Sequence, residues 1–292
     1  MIRFATTLFL ILCMLIPFSS TWSQEVFRFA VADIEGLENL QREYGEFKDV
    51  LSKVAGFTFE FYPVNSRTAA VEAIKSRKLD FALIGPAEYV IFRKRTDAYP
   101  VVAFSRPDYF SSIIVLADSG INSVKDLKGK KVAFGDIGST SKHLAPMQLL
   151  KDYGLDPLRD VKAIHVSYKI GWEALKKGEV SALATTNDKF LALRSKETEP
   201  GAFRVIARSP DLPNDVLIAG KHISKDKADK LREAFNLHSQ ELTKALLKGE
   251  DTQKYVGTKF LTSIKDSDYN YVRSMYATAG YPEYSDFIGE QK

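Results

Sequence analysis

Short apolar runs alternate with longer amphipathic segments along nearly the whole chain, and this alternation limits the fold more than any other feature. Strand-like runs occupy Val26 to Ala32, Phe57 to Tyr62, Asp80 to Ile84, Val101 to Phe104 and Ser112 to Ala117. More follow at Lys131 to Phe134, Ala163 to Val166, Ser181 to Thr185, Val205 to Ala207 and Val216 to Ala219. Between them the pattern predicts helices at Gln41 to Val54, Arg67 to Lys75, after Gly85-Pro86 to Arg93, before Tyr153 and at Gly171 to Lys177. From Ser224 onward the chain reads as mostly helical. Short connections between the two kinds of segment predict an α/β fold in which helices cover parallel sheets.

A chain of 292 residues reaches the size, roughly 250–300, at which single cores stop growing and lobes form. Two breaks interrupt the rhythm: Asp118-Ser119-Gly120, and Ser209-Pro210-Asp211-Leu212-Pro213. They predict a discontinuous first lobe, 24–117 with 216–292, and a second lobe, 118–215. Two crossings make a hinge, and the cleft between lobes is where ligands usually bind. The 41 basic and 37 acidic residues are scattered, so no basic stripe for nucleic acid is present.

Residues 1–23 read as a signal peptide, with Arg3 as the positive start and an apolar run from Leu8 to Phe18. Mostly small residues follow before Gln24 and Glu25. The run is shorter than the ~20 residues of a membrane span, although an uncleaved anchor is the alternative. Cys13, the only cysteine, lies inside it, preceded by Leu12 where a lipoprotein needs a small residue. Once processed, the chain would have no disulfide, thiolate metal site or thiol nucleophile.

The segment Phe134-Gly135-Asp136-Ile137-Gly138-Ser139-Thr140-Ser141 carries the clearest chemistry. A strand ends there, glycines allow a tight turn, and three hydroxyls stand where a helix begins. A helix start has unpaired N–H donors and partial positive charge, so added hydroxyls would make a neutral oxyanion cradle. The alternative is plain N-capping, which needs only one hydroxyl. The spacing is not that of a nucleotide P-loop, and no G-x-S-x-G elbow exposes a nucleophile. None of His143, His165, His222 and His238 makes a metal-ligand pair with another histidine at helical spacing. The sequence calls for no metal and no cofactor.

Taken with Leu79-Asp80-Phe81-Ala82-Leu83-Ile84-Gly85-Pro86 and Leu212-Pro213-Asn214-Asp215, this loop resembles the phosphate, phosphite and phosphonate periplasmic binding proteins of ABC importers. The resemblance runs from about Phe27 to about Lys221. It implies a two-lobed periplasmic binding protein of type II, a monomer in the periplasm that captures a small oxyanion and delivers it to a membrane permease. It implies that Ser139, Thr140 and Ser141 hold the oxyanion head, that Tyr109 touches it, and that Asp188 and Asp215 face an amino group or a protonated oxygen of the ligand. Two positions depart from the family pattern: Arg67 stands in place of a tyrosine, and Tyr168 in place of a histidine. A guanidinium at 67 would give bidentate oxyanion recognition, with a solvated helix-start arginine as the alternative. Tyr168 keeps a hydrogen-bonding tip without positive charge.

Two carboxylates would each repel a fully ionised anion by roughly 4 kcal/mol at ~4 Å and an effective dielectric of ~20. A P–OH or an ammonium tail turns that repulsion into attraction, and sulfate has neither. Other readings are a same-fold binding or sensor module for a sulfonate or a vitamin precursor, with Tyr109, Tyr168 and Trp172 lining the cleft, and an exported enzyme using Asp188 or Asp215 as general base.

Overall fold

A computed structural model describes residues 25–287, apart from the side chains of Arg67 and Thr68. The expected signal peptide lies outside the described residues. Two sheets carry the architecture. The first contains β1 (Val26–Val31), β2 (Thr58–Phe61), β3 (Phe81–Ile84), β4 (Tyr99–Phe104), β10 (Asp215–Ala219) and β11 (Phe260–Leu261), in the order β11-β4-β10-β3-β1-β2. The second contains β5 (Ser111–Leu116), β6 (Lys131–Phe134), β7 (Lys162–His165), β8 (Ala182–Thr186) and β9 (Phe203–Arg208), in the order β7-β6-β8-β5-β9.

Helices α1 (Leu37–Ala55), α2 (Arg67–Lys75) and α3 (Pro86–Arg95) connect strands of the first sheet. Helices α4 (Ala145–Asp152), α5 (Tyr168–Lys176) and α6 (Asn187–Arg194) connect those of the second, and α7 (Lys225–Leu237), α8 (Ser239–Leu246) and α9 (Asn270–Thr278) follow β10. Buried strands read as uninterrupted apolar runs because both faces are covered: every residue of β3 is buried. The 19-residue α1 presents Leu40, Tyr44, Phe47 and Leu51 to the core and stops at Gly56, whose φ of 67° suits a left-handed cap.

The sheets are mixed rather than parallel throughout. β1 runs parallel to β2 and β3, and β6 to β7 and β8, but β10 is antiparallel to β3 and β4, and β5 to β8 and β9. Direction follows from the crossings. The strands β1, β3 and β4 run toward the cleft, so a chain returning from the other lobe must enter β10 at the cleft end and run away from it. β5 enters the second sheet in the same way.

This pairing also corrects the first expected boundary. The run at Ser112 to Ala117 belongs to the second sheet as β5, so the chain crosses in residues 105–110 and not at Asp118-Ser119-Gly120. The return crossing is 209–214, ahead of β10. The tail from 216 is not confined to the first lobe either. α9 packs against both α3 and α4, Tyr276 donates to the Ala87 carbonyl at 3.0 Å, and Thr278 donates to Gln148 Oε1 at 2.6 Å.

Candidate functional site

The cleft ends of both sheets and the first crossing enclose a cavity of ≈ 200 Å³, at the carboxyl ends of parallel strands where open α/β sheets place their ligands. Its wall includes Ser139, Thr140 and Ser141. After β6 the chain turns through Gly135, where an added Cβ would meet Lys142 Cβ at 2.6 Å, and Gly138, with a φ of 86°. Thr140–Leu144 then forms a π-helical turn leading into α4.

Each of the three hydroxyls already has a protein partner. Ser139 Oγ accepts from the Lys142 N–H at 3.4 Å, as an N-cap would. Thr140 Oγ1 accepts from the buried Ala87 N–H at 2.9 Å, a bond between the lobes at the start of α3. The Ser141 hydroxyl interacts with the Tyr109 phenol, opposing part of the upward shift that burial gives that phenol. A hydroxyl has one proton and two lone pairs, so an oxygen that accepts from an N–H keeps its own proton to donate. At Ser139 and Thr140, capping and anion binding are therefore compatible.

Two histidines hold the turn from behind. His143 Nδ1 accepts from the Gly138 N–H at 3.1 Å, which requires that nitrogen to be unprotonated. His165 Nδ1 lies 2.8 Å from the Gly135 carbonyl, so this nitrogen carries the proton. The rings are 5.1 Å apart. Burial, with a smaller contribution from His165, pushes His143 down to about 4. An unfolded histidine titrates near 6.5, so the unfolded chain binds the extra proton first as pH falls. The stability from neutral His143 is fully present above ~6.5 and is lost progressively toward pH 4, about 3 kcal/mol in all at 1.36 kcal/mol per unit. Melting curves between pH 7 and 4 should show this loss, and His143→Gln should flatten it. Parallel pH curves for the two proteins would refute the assignment.

Charged groups fill the rest of the wall. Arg106, in the first crossing, stacks its guanidinium 3.5 Å from the Tyr109 ring centre and places Nη1 3.5 Å from Asp215 Oδ1. Lys254 Nζ sits 2.8 Å from Asp33 Oδ2 and 3.8 Å from Asp215 Oδ2, and the Tyr255 hydroxyl donates to that same oxygen at 2.7 Å. Burial opposes the charge on both cations, but Asp215 beside Arg106 and Asp33 beside Lys254 outweigh it and hold both above their ordinary values.

Seven of the eight site residues expected from the sequence, Tyr109, Ser139, Thr140, Ser141, Tyr168, Asp188 and Asp215, line this cavity. Arg67 begins α2 after the N-cap Ser66, and Ser66 lines an adjoining cavity that shares Asp33, Ile34, Asp136 and Asp251 with the first. The Arg67 side chain lies outside the described residues. Asp215 is buried among Tyr255, Arg106 and Lys254, whereas Asp188 is 41% exposed with Lys189 Nζ at 3.8 Å. Tyr168 opens α5, with the Lys142 and Lys189 ammonium groups 6.0 and 5.7 Å from its ring centre. Trp172 is away from the cavity, stacked on Phe203 at 4.1 Å with its N–H on Glu197. The sequence reading did not single out Arg106 or Lys254. For Arg106 the available signal was Arg106-Pro107-Asp108 directly after a strand; Lys254 has none, because only the tertiary fold brings it to Asp33.

Comparison with known proteins finds relatives by sequence and by fold. The phosphonates-binding periplasmic protein of Escherichia coli K12 is 24% identical over 240 residues, 79% of this chain and 71% of that protein. The phosphate-import protein PhnD of Mycolicibacterium smegmatis is 27% identical over 229 residues, 72% of this chain and 71% of that protein. PhnD1 of Prochlorococcus marinus, solved with methylphosphonate, superposes with a TM-score of 0.69 at 18% identity, covering 88% of this chain and 99% of that one. A sequence profile described as "ABC transporter, phosphonate, periplasmic substrate-binding protein" matches residues 29–269. With that match spanning most of its length, the chain belongs to the family of periplasmic substrate-binding proteins of phosphonate ABC transporters.

Proposed function

We propose that the protein captures phosphite, phosphate or a small phosphonate in the interlobe cavity and presents it to the permease of an ABC importer, binding without turnover. The observation that carries this reading is the Ser139 and Thr140 pair, whose oxygens accept backbone N–H bonds and whose protons remain available to an anion. The start of α3 adds the partial positive charge of a helix N-terminus beside Thr140. The cavity of ≈ 200 Å³ suits a small head group rather than a drug-sized ligand, whose pockets run to roughly 300–1,000 Å³. The Thr140–Ala87 bond joins the lobes, so a ligand that orients the Thr140 hydroxyl favours the closed state.

Asp188, with one lysine contact and substantial exposure, is a carboxylate in the wall able to accept a hydrogen bond from a P–OH or an ammonium tail. The same group disfavours sulfate. Removal of residues 1–23 on export, a periplasmic location and a monomeric state complete the proposal; neither nucleic acid nor a cofactor takes part in it. Isothermal titration of the purified protein with phosphate, phosphite, methylphosphonate, 2-aminoethylphosphonate and sulfate tests it. One-to-one binding of a phosphorus oxyanion at least tenfold tighter than sulfate is expected. Sulfate binding as tightly as every phosphorus anion would sink the ligand assignment.

A further inference from the structure

Two buried polar atoms in the cavity wall have no hydrogen-bond partner among the described residues. Thr186 ends β8 opposite Ser111 and stands at the N-cap position of α6, yet its side chain caps nothing. Its residue is 4% exposed, it lines the cavity, and its Oγ1 is buried without a hydrogen bond. Arg106 lines the same cavity with a side chain 10% exposed, and its Nε is likewise buried and unpartnered. A guanidinium has five N–H donors in one plane. Stacking on Tyr109 covers a face of that plane and leaves the donors at its edge, where the one acceptor among the described residues is Asp215 Oδ1 at the long distance of 3.5 Å.

Buried donors are rarely left unpaired in folded proteins, and those in a cavity wall can be satisfied by a ligand. We infer that Arg106 and Thr186 form a second grip on the anion, supplied by the first crossing and the end of β8, so that the site holds a ligand presenting at least two separate terminal oxygens. The serine–threonine turn engages one oxygen, and Arg106 with Thr186 engages another. The inference rests on the proposed oxyanion reading and adds what the turn alone does not provide: a permanent positive charge in planar geometry. Tetrahedral anions such as phosphate and methylphosphonate meet the requirement.

The neighbouring strand residue supplies an internal control. Thr185 is fully buried and also lacks a hydrogen-bond partner, but it does not line the cavity, as the alternation of side chains along a strand dictates. The test is titration of the purified protein with phosphate and with methylphosphonate, alongside melting curves without ligand. Thr186→Val and Arg106→Lys should each weaken binding at least tenfold, while Thr185→Val stays within twofold of the unsubstituted protein. Melting of Thr186→Val should not fall, since no protein hydrogen bond is removed. Wild-type affinity in either cavity variant, or an equal loss in Thr185→Val, would overturn the second grip. Absence of binding to both anions by the unsubstituted protein would overturn the oxyanion reading and this inference with it.

Discussion

Replacing Thr140 with valine is expected to weaken oxyanion binding about 100-fold or more, the largest effect of any single hydroxyl in the turn. Two interactions are lost together. The first is the bond Thr140 would donate to the anion, worth about 1.5–3 kcal/mol for a charged acceptor. The second is the bond it accepts from the Ala87 N–H at 2.9 Å, without which a buried donor is left unpaired in the closed state at about 1–3 kcal/mol. A loss of roughly 3 kcal/mol or more follows, at 1.4 kcal/mol per tenfold. Because the Ala87 bond exists only when the lobes meet, the variant should also stay open at ligand concentrations that close the unsubstituted protein, as read by small-angle scattering. Ser141→Ala, which removes a hydroxyl paired within the cleft to Tyr109, should not show that second effect. Identical closure curves for Thr140→Val and the unsubstituted protein would remove Thr140 from the latch.

The two cleft aspartates should separate sharply. Asp215→Asn removes the counter-charge shared by Arg106 and Lys254 and leaves one acceptor oxygen where two served Arg106, Lys254 and the Tyr255 hydroxyl. Breaking a buried charge arrangement from one side costs about 3–5 kcal/mol, because the Arg106 charge remains without compensation, while Lys254 keeps Asp33. For a chain of this size, at roughly 2–4 °C per kcal/mol, melting should drop by about 10 °C. Asp188→Asn alters a group 41% exposed with a single lysine at 3.8 Å, an arrangement worth at most ~1 kcal/mol. Its melting should barely move, and its effect should appear as tighter sulfate binding. If Asp215→Asn melts like the unsubstituted protein, the network around it does not stabilise the fold.

The sequence showed the central strands because both of their faces are covered. Phe81–Ile84 and Lys131–Phe134 are short apolar runs with abrupt ends, and Arg67–Lys75 is bounded by a serine cap and a lysine at its end. Strand direction was not visible in the same way. Val216 and Ile113 are as apolar as their neighbours, yet they belong to strands that run opposite to β3 and β8. Pairing partners set that direction, and local residue pattern does not report them. The first crossing was misplaced for a related reason. Arg106-Pro107-Asp108 and Asp118-Ser119-Gly120 are both turn signals, and only long-range pairing decides which one leaves the sheet.

The site divides along the same line. Ser139, Thr140 and Ser141 are consecutive and sit at a helix start, so their chemistry was readable locally. Arg106, Lys254 and Asp33 come from three distant segments, and their charges acquire meaning only where the fold brings them around Asp215. The same convergence adds to the reading of Asp215, which lines the cavity and is also the shared partner of two cations and a phenol.

A crystal structure of the protein with methylphosphonate tests the central claim most directly. The account predicts the anion in the interlobe cavity, with separate oxygens within hydrogen-bond distance of the Ser139 to Ser141 hydroxyls and of Arg106 or Thr186. An anion bound in the adjoining cavity, or one in the cleft that makes no contact with those three hydroxyls, would contradict it.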